Sequence, residues 1–224
     1  MKRLAWLRRR LIAPQLEPFM VTGGLYALTS LYYTRSLPFQ ILGFLILVAV
    51  ALYWSYSIRY GANLSWRDLK LTSKRPWLNA VLALLLAVFG WFYFSIYLSV
   101  TRGEPIRTGY GGSPAAVATI ILVATAEELF FRGYLQNRLS RHHPLWRRAL
   151  LAVVALALYK NVVHMWEGMP LTLHLELFLL GILHNILPSL WMEWSGSLVG
   201  PLLLHVIWDL LVYAPMETIP YWVV

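Results

Sequence analysis

An all-α, polytopic transmembrane bundle of about seven to eight helices around a hydrated intramembrane cavity is the fold this sequence predicts, on three observations. Of 224 residues, 59% are hydrophobic and only 13% charged, with mean hydropathy +0.59; a soluble domain carries about 25% charged residues. The apolar residues gather in runs of the length that crosses a bilayer, about 20 residues. The basic residues behind the net charge of +9 sit in short segments between those runs, which is a topology signal and not a phosphate-binding surface, so no nucleic acid is expected as a partner.

Seven runs qualify as spans: roughly Pro18 to Tyr33, Pro38 to Ile58, Trp77 to Val100, Pro114 to Phe131, Arg148 to His164, Leu171 to Trp191 and Ser197 to Tyr213. The first is short and rich in glycine, threonine and serine. The fourth is expected to continue as a polar-faced helix through Arg138, since only Gly133 interrupts good helix formers and one glycine is tolerated. Positive charge concentrates in Lys2 to Arg10, in the Arg59 to Arg75 loop and in the Arg138 to Arg148 loop. These alternate with poorer loops, which places the N-terminus and both basic loops in the cytoplasm of a multi-pass integral membrane protein. Thr101 to Ser113, with four glycines and one proline, reads as an external turn, and Ser113-Pro114 as an N-cap and first-turn proline. No short apolar core with a cleavage site follows the basic start, so a removable signal peptide is not expected. One membrane domain spans 1–224, with N-terminal helices in 1–113 and a motif-bearing core in 114–213. The absence of cysteine excludes disulfides, thiolate metal sites and a cysteine nucleophile.

Charge inside the apolar runs points to chemistry. Glu127, Glu128 and Arg132 close a stretch of alanine, valine, isoleucine, leucine and threonine, and Lys160, His164, His205 and Asp209 recur in later runs. A charged side chain at a bilayer centre costs roughly 2.5 to 3.5 kcal/mol on insertion scales, and five of them roughly 10 kcal/mol or more, so these groups are expected to converge on a hydrated cavity. Glu128 and Arg132 are spaced i, i+4 in the favourable acid-before-base order. Glu127 points about 100° away on a regular helix, which leaves one glutamate neutralised and the other free to act. His205 and Asp209 are again i, i+4 and project to one side. The fourth and fifth spans form a hairpin turning near His142-His143-Pro144, and the midpoint between Glu127 and His164 falls just past that turn, so the two are expected to lie level in the membrane.

Such a cavity supports hydrolysis. A glutamate in a low-dielectric setting can take a proton from water, and a neutral histidine beside it can hold the water or later protonate a leaving amine. His205 and Asp209 would then polarise a scissile carbonyl and stabilise its oxyanion, provided that Asp209 is protonated or that His205 is the sole donor.

These residues, Glu-Glu-x-x-x-Arg at Glu127, Glu128 and Arg132, a histidine on the next helix at His164, and Gly196-Ser197-Leu198-Val199-Gly200-Pro201 leading to His205-x-x-x-Asp209, resemble the CAAX protease and bacteriocin-processing family of intramembrane glutamic endopeptidases. The likeness covers Ala115 to Tyr213. It implies a helical membrane protease, related to type II CAAX prenyl endopeptidases, that needs no metal or other cofactor and acts on a membrane-anchored protein or peptide. Glu127 and His164 would activate water, His205 and Asp209 would bind the oxyanion, and Glu128 and Arg132 would organise the site. The family accepts Asn or an acid at the position of Asp209. It usually has phenylalanine where this chain has Lys160; a lysine one turn from His164 would favour the ionised form of Glu127 and weaken it as a base, unless it pairs with Glu176 or Asp209.

Three other readings compete. A non-catalytic immunity factor or scaffold would keep the fold with Lys160 disabling the site. A zinc-dependent protease would use His164, His205, Glu127 and Asp209 as ligands, although no His-Glu-x-x-His stretch is present, which excludes an ordinary zincin arrangement. A transporter would use the charges as a proton relay. On the sixth run, His174, His184 and Glu176 read as interhelical hydrogen bonding more than substrate contact, and the glycines around Pro201 as close helix packing.

Overall fold

A computed structural model describes residues 70–103, 114–139, 143–165 and 170–213. The two N-terminal expected spans, the centre of the expected external turn and the C-terminal residues lie outside the described residues. All regular structure among the described residues is helical. Five helices, α1 (Pro76–Arg102), α2 (Pro114–Glu127), α3 (Leu145–Met165), α4 (Leu171–Ser195) and α5 (Val199–Tyr213), are joined by a π-helical segment, Glu128–Gln136, that continues α2 and ends in the short turn Asn137–Leu139. Two helical stretches, Pro76–Thr101 and His174–Ser195, are long and apolar enough to cross a membrane; Val199–Val212 is apolar but shorter.

Helix ends follow local chemistry. Proline opens α1 and α2, where its missing N–H is not needed and its fixed φ suits the first turn. Gly103 ends α1 at φ 66° with its N–H on the Ser99 carbonyl at 3.1 Å, and Gly196 ends α4 in the same left-handed geometry, bonding Met192 at 3.0 Å. That conformation favours glycine because it lacks a Cβ. Ser197 then turns the chain into α5 by accepting from the Val199 N–H at 3.2 Å.

The chain divides into two compact units. One comprises Trp66–Gly133 and Leu187–Val224. In it α5 packs against both α1 and α2, around Ala83, Ala87, Trp191 and Leu204, with Leu86, Leu203, Ile207, Trp208 and Leu211 at the margin. Small residues permit this approach: a Cβ on Gly90 would lie 2.6 Å from the Trp208 ring, and one on Gly200 would lie 2.6 Å from the Trp191 ring. The glycine-rich approach to α5 is thus a packing device at Gly200, as the sequence suggested.

The other unit comprises Met1–Ser65 and Tyr134–Ile186. Its described part holds α3 and the first four turns of α4. Ala149, Ala152, Val153, Leu156 and Ala157 form the buried face of α3, and a Cβ on Gly181 of α4 would come within 3.4 Å of the Ala157 methyl. His174 Nδ1 lies 3.4 Å from the side-chain amide of Asn161, an interhelical polar contact of the kind expected for that histidine.

Candidate active site

The site is built where α2 passes into the π segment. Glu127 is the last residue of α2, while Glu128 and Arg132 lie in the segment. The sequence predicted continuous α-helix here. A π-helix bonds i to i+5, is rare, and recurs at functional positions; nine consecutive residues in it are the main local departure from expectation. The segment is buried on almost every side: Phe130, Phe131, Arg132, Gly133, Tyr134, Leu135 and Gln136 are all buried. Charged groups held so tightly need partners from the protein.

Within the unit that holds it, those partners come from α4 and α5. Arg132 Nη1 donates to Glu128 Oε1, the i, i+4 pair read from the spacing. Its Nε donates to Ser189 Oγ on α4 at 3.2 Å. His205, on α5, brings Nδ1 to 2.7 Å from the same Glu128 oxygen, while its Nε2 lies 3.3 Å from Asp209 Oδ2 and 3.6 Å from Glu127 Oε2. One imidazole thus touches all three carboxylates. Glu128 is fully buried, Arg132 is 1% exposed, and Glu127, His205 and Asp209 are each below 10%.

The arrangement constrains protons. An ionised Glu128 beside Arg132 only accepts, so Nδ1 of His205 is its donor. Nε2 then faces two further carboxylates, and a proton must lie on Nε2 or on one of those oxygens for the contacts to be attractive. Among the described residues no group of three or more His, Asp and Glu side chains is disposed as metal ligands.

Glu127, Glu128, Arg132, His205 and Asp209 are therefore together in one unit. His164 lies on α3 in the other unit, with its side chain outside the described residues. Lys160, one turn earlier on α3, is half-buried and makes interactions of its own. Sequence reasoning missed Ser189. Its only local signal is its place after Pro188, the proline inside α4, and nothing in the spacing ties it to an arginine 57 residues away.

Residues 111–211 match the model of the family described as type II CAAX prenyl endopeptidase Rce1-like. Through that stretch, a little under half of its length, the chain is similar to this family. The matched region contains every residue of the acid cluster and of the sequence motifs, and the family is one of membrane-embedded CAAX-type proteases. No curated protein and no solved structure matches the chain.

Proposed function

We propose that the protein is an intramembrane glutamic-type endopeptidase that hydrolyses a peptide bond in a membrane-anchored or lipidated substrate. The observation that carries this reading is the meeting of Glu127 and Asp209 on one edge of the His205 ring, 3.6 and 3.3 Å from Nε2, inside a region matched by a CAAX prenyl endopeptidase model.

Glu127 is the base. Water positioned beside it loses a proton to the carboxylate as the oxygen attacks the scissile carbonyl, the C–N bond then breaks, and the proton passes to the departing amine. His205 donates from Nε2 to the oxyanion, its other nitrogen held by Glu128, and Asp209 sits beside that N–H. Glu128 and Arg132 orient His205, with Ser189 fixing the guanidinium. Glu128 Oε2, buried and without a hydrogen-bond partner among the described residues, is a place for a water molecule or a substrate amide. His164 is assigned as the second water-holding group by resemblance to the family motif.

Purified protein in detergent or nanodiscs, given a farnesylated peptide ending in a CAAX sequence, should release the terminal tripeptide. Glu127→Gln should lower kcat by about 10²- to 10⁴-fold, the usual contribution of a general base, with KM and melting temperature little changed. If no prenylated peptide is cut, comparing membrane-protein fragments from cells with native chain and cells with Glu127→Gln tests other anchored substrates. Equal fragments in both, with the protein's biological role intact, would leave the scaffold reading standing.

A further inference from the structure

A second polar feature of the same unit shares no residue with the acid cluster. At the first turn of α1 a cavity of about 330 Å³ is lined by Ser73, Lys74, Arg75, Leu78, Leu82 and Trp194, among others. Its polar lining is Ser73, Lys74, Arg75, Asn79 and Ser195. Three cations lie on this stretch, and they differ: Lys70 pairs with Glu193 at 3.6 Å, whereas Lys74 and Arg75 are exposed and no carboxylate among the described residues bridges to either. Ser73 Oγ accepts from the Arg75 N–H at 3.1 Å and from Asn79 Nδ2 at 2.7 Å, so its own hydrogen remains to be donated. No acidic residue lines the cavity. The N-terminus of α1, which has no side-chain cap, adds partial positive charge.

The rest of the lining is apolar and includes Leu78 and Leu82 on the exposed apolar face of α1. Leu78 and Leu82 are one turn apart, and below them Leu85 and Phe89 are exposed as well. Trp77 and Trp194 are 83% and 90% exposed, which suits the headgroup level, where the indole has one wet and one apolar side. Two uncompensated cations and a hydroxyl donor at headgroup depth, above a leucine track at acyl depth, match one ligand chemistry.

We propose that this cavity seats the phosphate of an anionic phospholipid, with Lys74, Arg75 and the Ser73 hydroxyl on its oxygens and an acyl chain along Leu78 and Leu82. Basic pockets between membrane helices bind anionic headgroups in this way. The proposal does not depend on catalysis.

Native mass spectrometry of the full chain in detergent, titrated with phosphatidylglycerol and with phosphatidylcholine of the same acyl chains, tests it. The native protein should retain phosphatidylglycerol preferentially. The double change Lys74→Gln with Arg75→Gln should weaken that retention on the order of ten- to thirty-fold, and each single change by about fivefold; the singles carry the test should the double variant fail to fold. Arg147→Gln, which removes an equally exposed cation at the start of α3, should leave retention unchanged. An undiminished preference in the Lys74 and Arg75 variants, or an equal loss in Arg147→Gln, would overturn the site. Displacement of the lipid by a large excess of inorganic phosphate would overturn the lipid in favour of a free phosphate ligand.

Discussion

Helix α1 and the π segment are opposites. The helix has 27 residues, carries an exposed tryptophan at its second position, and turns Leu85, Phe89, Tyr93 and Val100 outward. The segment has 9 residues, carries a glutamate and an arginine, and hides both completely. In water that distribution would be inverted, with leucine inside and charge outside. In a bilayer the hydrocarbon solvates α1 at no penalty, whereas each charge must find its partner within the protein. Among the described residues, paired polar groups therefore share the buried positions with apolar ones.

Substitutions sharpen or break that contrast. The largest structural effect is expected at Arg132→Met, which leaves Glu128 buried without its cation; removing one member of a buried pair costs about 3 to 5 kcal/mol. The drop should be visible as a lower midpoint in thermal or SDS-induced unfolding. Adding Glu128→Gln should recover part of it, and a double variant no more stable than the single would show that the two groups do not act as a pair. Gly200→Ala comes next, because its methyl would press on the Trp191 ring and overpacking costs typically about 1 to 3 kcal/mol. An unchanged midpoint there would mean that the α4–α5 junction is looser than its distances state.

Ser189→Ala removes one neutral-to-charged hydrogen bond and should cost about 1.5 to 3 kcal/mol. Because Ser189 acts through Arg132, kcat should fall while KM holds, and Ser189→Thr should restore part of the rate. The smallest effect is expected at Phe89→Leu on the lipid face of α1, within about 0.5 kcal/mol. A larger loss would show that this face meets protein and not lipid.

Much of the site was legible because i, i+4 spacing is a local property. Glu128 with Arg132, and His205 with Asp209, could be paired on paper, and both pairs are in contact in the folded chain. The bond from His205 to Glu128 could not be read, since it joins residues 77 apart through the packing of α5 on α2. The sequence had assigned His205 to the substrate alone; the fold gives one of its nitrogens to Glu128. The π geometry was equally hidden. Glu128 to Gln136 contains no proline and one glycine, and its residues fit an ordinary α-helix, so the wider turn reflects what surrounds it. The seven spans expected from hydropathy meet two described stretches that satisfy length and composition together, while the first two spans lie outside the described residues.

Composition and spacing by themselves determined that this chain is helical, holds runs apolar enough to cross a membrane, and carries acid, base and imidazole at helical intervals, because hydropathy and an i, i+4 repeat depend on neighbours along the chain. Tertiary structure alone decided which oxygen each imidazole nitrogen meets, that a serine on α4 steadies Arg132, and that the paired cation near α1 is Lys70 and not Lys74. Those outcomes depend on distances between helices, and such distances are set by how small and large side chains fit when the helices pack.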